Sequence, residues 1–319
     1  METSTNPGRA NLEVFSQTLQ QMARLDKDLL VVTSDSRGSG KLVPFGQEYP
    51  RQIVEIGIAE QNLVGVAAGL ASTGKKVFAV SPACFLTARA LEQIKNDVAY
   101  SDNPVKLIGI SAGVSYGALG STHHSLHDFA ALRAIHNITI VAPADNYETE
   151  MAIRLAQQAE KPFYIRFGKK PMPNLPNNEH FAFGKGRTLC FGEDIVFIAT
   201  GEAVNPAYEA AKLLKHANIQ ATVVSMHTIK PLDTELIREV AALGAPIITV
   251  EEHSIYGGLG EACAAFLLEH GYRNKFKIVG IPDEYTVTGS QQEIMDHYGI
   301  SPEGLHSAAK KLLDKSESQ

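Results

Sequence analysis

What most constrains this chain is an alternation that runs through most of its length. Short runs rich in valine, isoleucine and leucine are separated by stretches whose apolar residues recur at helical spacing. "LLVVTSDS", "KKVFAVSPACF", "VKLIGISAG", "ITIVAPAD" and "KPFYIRFG" read as buried strands, and "LTARALEQIKNDVAYS" and "NYETEMAIRLAQQAE" as helices between them. Ahead of the first strand, residues 11–25 form an amphipathic pattern with Leu12, Phe15, Leu19 and Met22 on one stripe. Continuous apolar strands are buried on both faces. Strands that return through a helix run parallel, so the pattern predicts an α/β chain with mainly parallel sheets covered by helices.

The alternation stops once. "GKKPMPNLPNNEHFAFGKG", between residues 168 and 187, carries three prolines and three asparagines and no sustained period, which predicts a linker. It resumes with "DIVFIAT", "NPAYEAAKLLKHA", "QATVVSM", "LDTELIREVAAL" and "PIITVEEH", followed by a glycine loop and another helix. Two α/β domains are expected, residues 1–180 and 181–319, each a mainly parallel sheet flanked by helices. A length of 319 residues is enough for both.

A net charge of -6 speaks against a general nucleic-acid binder. The three cysteines, Cys84, Cys190 and Cys263, lie far apart and form neither a CxxC pair nor a zinc spacing. The N-terminal stretch has no signal-peptide pattern, and no apolar run approaches the ~20 residues that span a bilayer. A cytoplasmic protein without membrane attachment is expected.

Several stretches carry candidate chemistry. "GLASTGKK" at residues 69–76 has the glycine and lysine spacing of a P-loop. However, a helix precedes it, a strand follows, and Lys76 replaces the hydroxyl residue, so a helix end and turn are expected. "SRGSGKL" and "YGGLGEA" are glycine loops consistent with tight turns. "YGALGSTHHSLHD" follows a strand, which puts it at the carboxyl edge of the sheet where α/β proteins bind ligands; it gathers His123, His124, His127 and Asp128. His123 and His127 are four apart, but no glutamate stands between them and no helix is evident at His123, so a hydrogen-bonding cluster for a polar ligand is favoured over a metal site. "EIGIAEQNLVGVAAGL", residues 55–70, places Glu60 at the mouth of a small apolar helix. Locally that glutamate serves either the helix N-terminus or a dry catalytic site.

Taken in order, "EIGIAEQNLVGVAAGLASTGKKVFAV", the region from "FLTARALEQIKND" through "GSTHHSLHDFAALRAIHNITIVAPAD", and "KPFYIRFGKK" resemble the pyrimidine-binding half of transketolases. "PLDTELI" and "TVEEHSIYGGLGEA" resemble the transketolase C-terminal domain. The length is that of the C-terminal section of a split transketolase, whose thiamine-diphosphate-binding half is a separate polypeptide. The resemblance implies transfer of a two-carbon ketol unit between sugar phosphates. It implies that Glu60 is buried against a ring nitrogen of thiamine's aminopyrimidine, where it helps the coenzyme lose its acidic proton. His123 then contacts the substrate, Asp35 lies near the cofactor and the subunit interface, and Phe85 is the candidate to stack on the pyrimidine. Arg166 or Lys169 grips the substrate phosphate; the spacing from Pro162 favours Lys169, where larger transketolases carry an arginine.

Two positions depart from the family pattern. Leu119 replaces an aspartate that reads a substrate hydroxyl, and Ser111 stands where larger transketolases add a substrate-side histidine. The "GDG" and following asparagines that hold magnesium and the diphosphate are missing. The N-terminal subunit is therefore expected to supply Mg2+ binding, in an assembly of two copies of each chain, with no metal site on this one. The alternatives are the beta subunit of a 2-oxo acid dehydrogenase, which shares the domain order, and a non-catalytic homologue.

Overall fold

The computed structural model describes residues 8–176 and 180–314, and shows two helix-flanked sheets. The first is built on β1 (Leu29–Thr33), β2 (Ile53–Glu55), β3 (Lys76–Pro82), β4 (Lys106–Ile110), β5 (Thr139–Val141) and β6 (Phe163–Arg166). The second uses β7 (Arg187–Cys190), β8 (Ile195–Ala199), β9 (Ala221–Ser225), β11 (Ile247–Ser254) and β12 (Phe276–Ile281), in the order β12-β11-β8-β9-β7. Within the first six strands every pairing is parallel. In the second sheet only the β7–β9 pairing is antiparallel among the described residues. The apolar runs explain this: β4, β6, β8 and β9 are buried along their whole length, which requires cover on both faces.

The proline-rich stretch after β6 carries no helix or strand among its described residues; residues 177–179, part of the expected linker, lie outside them. Two expectations need correction. The helix expected across residues 86–101 is instead a helix Ala83–Arg89, a short turn Leu91–Gln93 and a π-helix Ile94–Tyr100. Its buried residues Leu86, Ala90, Ile94 and Val98 recur every four positions. A 3.6-residue turn would rotate that row away from the core, and the wider π turn absorbs the drift.

The second correction concerns β10 (Thr228–Lys230). It lies in the C-terminal half of the sequence but pairs antiparallel with β5, Thr228 opposite Val141, and completes the first sheet in the order β10-β5-β6-β4-β3-β1-β2. A three-residue strand is too short to show a period, so the pattern did not reveal it. The halves are thus joined by backbone hydrogen bonds as well as side chains.

The seam between them is polar and dry. Asp145 caps the helix Asn146–Gln158 by accepting from the Glu148 N–H (2.9 Å), and its other oxygen accepts from Arg187 of β7 (2.8 Å). Glu148 accepts from the Ser225 hydroxyl of β9 (2.7 Å). On the other side of the seam, Glu252 accepts from the Val114 N–H (2.8 Å), and the Gln291 amide bridges Glu252 (3.0 Å) and Glu202 (2.7 Å). Gly113, at φ +61°, lets the chain pass over that carboxylate; a β-carbon there would lie 2.4 Å from it.

Burial pushes the Glu202 carboxyl up to about 7, with the neighbouring Glu252 adding to the shift and Lys170 opposing it. A carboxyl with a raised folded-state pKa contributes stability that is full below its ordinary value of 4.5 and is lost as pH rises through about 7. Glu202→Gln removes that loss. In thermal unfolding from pH 5 to pH 8 the variant is expected to gain on the wild type by on the order of 2 kcal/mol, and a gap that does not change with pH would refute this.

Candidate active site

The sequence candidates of the first half lie beyond the carboxyl ends of parallel strands: Asp35 after β1, Glu60 after β2, Phe85 after β3, Ser111 and His123 after β4, and Lys169 after β6. Arg166 is the last residue of β6 itself. At this edge the connections open away from the sheet and helix N-termini face outward, so polar ligands are met there.

Glu60 opens the helix Glu60–Ser72 with its side chain only 3 % exposed. It lies in the first turn, where a negative charge suits the helix dipole, but its side chain makes no capping hydrogen bond. Instead Oε2 accepts from Arg89 Nη1 at 2.9 Å. The turn before it is fixed by Glu55, which accepts from the Asp35 N–H (2.6 Å), the Gly57 N–H (3.1 Å), the Thr33 hydroxyl (2.8 Å) and Arg37 (3.1 Å). Burial pushes the Glu55 carboxyl up, but those donations hold it below its ordinary value, so it stays a carboxylate.

From Glu60 a continuous row of contacts crosses the edge. The Arg89 guanidinium lies 4.5 Å from the Phe85 ring centroid. Phe85, in the first turn of the helix Ala83–Arg89 rather than on the strand, meets the His123 ring edge-on at 5.3 Å. His123 meets Tyr116 at 5.3 Å and 69°, and the Lys169 ammonium lies 3.7 Å over the Tyr116 ring. Partial desolvation lowers the Lys169 pKa.

The three histidines of the loop diverge. His123 is half-buried and shares a hydrogen bond with Thr122 (3.0 Å), His124 is buried against the Gly117 carbonyl (3.0 Å), and His127 contacts the Thr87 hydroxyl (3.3 Å). The C-terminal half holds this loop through Glu252 on Val114 and Thr286 on Ser121 (3.2 Å).

Two of the residues expected to meet the substrate are buried. Arg166 is 6 % exposed, donates to both oxygens of Asp128 (2.9 and 3.1 Å) and to the Glu252 carbonyl (2.7 Å), and stacks 4.1 Å from the Phe129 ring. Its charge is consumed internally, so of the two cationic candidates only Lys169 faces outward. Ser111 is fully buried with a left-handed backbone at φ 54°, beneath the exposed side chains of this edge. Asp35 is also left-handed (φ 52°) but exposed on the rim, and Leu119 is 56 % exposed.

Sequence reasoning did not single out Arg89, Tyr116 or Glu252. The signal for Arg89 was present, since a buried carboxylate requires a partner and an arginine stands at the end of the next helix.

Comparison with known proteins places both halves of the chain in one family. Residues 8–174 match the transketolase pyrimidine-binding domain and residues 184–305 the transketolase C-terminal domain. The chain is 48% identical over 303 residues to one of the subunits of the apulose-4-phosphate transketolase of Phocaeicola vulgatus, covering 94% of this chain and 96% of that one. It is 38% identical over 308 residues to a putative transketolase C-terminal section of Methanocaldococcus jannaschii, covering 96% of each. A solved split-gene transketolase, described as an inactive beta4 tetramer, superposes with a TM-score of 0.85 at 34% identity, covering 96% of this chain and 98% of that one.

The contrast between the two cations is measurable by denaturant unfolding. Arg166→Met strands the buried Asp128 and is expected to cost about 3–5 kcal/mol. Lys169→Met, at an exposed position, should change stability by less than about 0.5 kcal/mol. Equal effects would refute the division of roles.

Proposed function

The chain belongs to the transketolase family, of which it carries the pyrimidine-binding and C-terminal domains, and from that premise we propose that it is one subunit of a two-chain transketolase, moving a two-carbon ketol unit between sugar phosphates with thiamine diphosphate. The observation that carries the reading is Glu60. Its carboxylate is almost fully buried, is hydrogen-bonded on Oε2 alone among the described residues, and lies on the same row of contacts as the half-buried ring of Phe85. A free carboxylate oxygen near an aromatic face fits a planar heteroaromatic ring with a protonatable nitrogen, the aminopyrimidine end of the coenzyme. When bound, thiamine diphosphate supplies the electron sink that cleaves the ketose carbon–carbon bond beside the carbonyl.

This chain's residues then divide the remaining work. Glu60 holds a proton at the ring nitrogen, Phe85 offers its face, and the dry surroundings strengthen the hydrogen bond that Glu60 makes. His123, wedged between Phe85 and Tyr116, presents its remaining ring nitrogen to substrate oxygens. Lys169 takes the phosphate as a single ammonium, without the two-pronged grip of a guanidinium. Mg2+ and the diphosphate belong to the N-terminal subunit, in a cytoplasmic assembly of two copies of each chain with Asp35 on the shared rim. The chain divides near residue 180 into its two domains.

A relative at 48% identity is named for apulose-4-phosphate, and the exposed apolar Leu119 suits a phosphorylated ketose that offers no hydroxyl there.

Reconstitution tests this. The chain, combined with an N-terminal transketolase section, thiamine diphosphate and Mg2+, should transfer a ketol unit, and Glu60→Gln should lower kcat by on the order of 10³-fold. Failure with every ketose phosphate tried sinks the proposal. In the same assay Lys169→Met is expected to raise KM for the phosphorylated substrate about tenfold with kcat little changed.

A further inference from the structure

Arg89 has no part in the functional reading, yet it touches both groups that reading needs. Its Nη1 donates to Glu60 Oε2 at 2.9 Å, and its guanidinium carbon lies 4.5 Å from the centroid of Phe85. Arg89 is half exposed while Glu60 is only 3 % exposed, so the arginine reaches inward from the end of the helix Ala83–Arg89 to a nearly buried carboxylate. Oε1 of Glu60 has no hydrogen-bond partner among the described residues.

We propose that Arg89 is a positioning residue for coenzyme activation: it clamps one oxygen of Glu60 and the face of Phe85 in a single frame, which leaves the second oxygen aimed at the ring nitrogen of the pyrimidine. This rests on the function proposed above. A guanidinium is suited to the task because it is planar and permanently charged, so it stacks on a ring and directs an N–H in its own plane at the same time. A buried carboxylate without such a partner would be free to turn, and would resist remaining charged in a dry pocket. A simpler role exists, since a cation in the last turn of any helix favours the negative end of its dipole. That role is indifferent to what occupies position 60, whereas the clamp is not.

The test therefore has two arms. In the cofactor-free chain, Arg89→Met leaves Glu60 unpaired and lowers Tm by a few degrees, and adding Glu60→Gln restores most of the loss. If the two substitutions add independently, Arg89 serves only its helix and the proposal fails. In the reconstituted enzyme, Arg89→Met lowers kcat by on the order of 10²-fold while KM for thiamine diphosphate shifts by no more than about threefold, and Arg89→Lys recovers part of the loss. An unchanged kcat, or a kcat lost in proportion to coenzyme affinity, overturns the proposal. A wild-type pair that neither binds the coenzyme nor transfers a ketol unit defeats the functional reading instead. A working wild type with an equally active Arg89→Met defeats only the role of Arg89.

Discussion

The ion pair between Asp128 and Arg166 is the interaction on which the rest of the molecule depends. Asp128 is wholly buried and accepts from Arg166 on both oxygens and from the Tyr164 hydroxyl at 2.6 Å. Charges in that setting persist only when every lone pair and proton is engaged. Here the engagement spans three pieces of structure. Asp128 begins the helix after the histidine loop, Tyr164 and Arg166 belong to β6, and the remaining arm of Arg166 reaches the Glu252 carbonyl of β11. Gly109 of β4 completes the arrangement, because any side chain there would collide with the Tyr164 hydroxyl.

That anchoring explains why the row Glu60, Arg89, Phe85, His123, Tyr116 and Lys169 can be assembled from separate connections. Each connection alone is a loop at a strand end, with little to fix its side chains. Asp128 pins one end of the histidine loop to the sheet, and Glu252 pins the other through Val114. His124 and Gly117 close it internally. The exposed members of the row therefore stand on residues that are themselves immobilised by buried polar contacts. The C-terminal half, which contributes none of the members of that row, helps hold the loop that carries His123.

The fold was legible because apolar strands and amphipathic helices announce their periods, and the two parallel sheets follow from their alternation. Glu60 was legible as an anomaly, a carboxylate at the mouth of an apolar helix, and the ordered motifs around it carried the family. What did not show was of two kinds. β2, β7, β10 and β12 escaped notice; β2 and β10 have only three residues each, so tertiary pairing and not local pattern defines them. The roles of Arg166 and Ser111 depend on burial, which one sequence cannot state. "YIRFGKK" offers several cations in a row, and only the sheet register decides that Arg166 turns into the core while Lys169 lies on Tyr116.

The small strand β10 has a consequence for how such a fold can be divided. It covers the edge of β5, whose amide and carbonyl groups would otherwise stand bare against water and neighbouring molecules. A polypeptide stopping at the proline-rich stretch would keep the buried Glu60 yet expose a raw flank inviting self-association. Evolution can shuffle the two halves as separate modules only if something else is recruited to sheathe that flank.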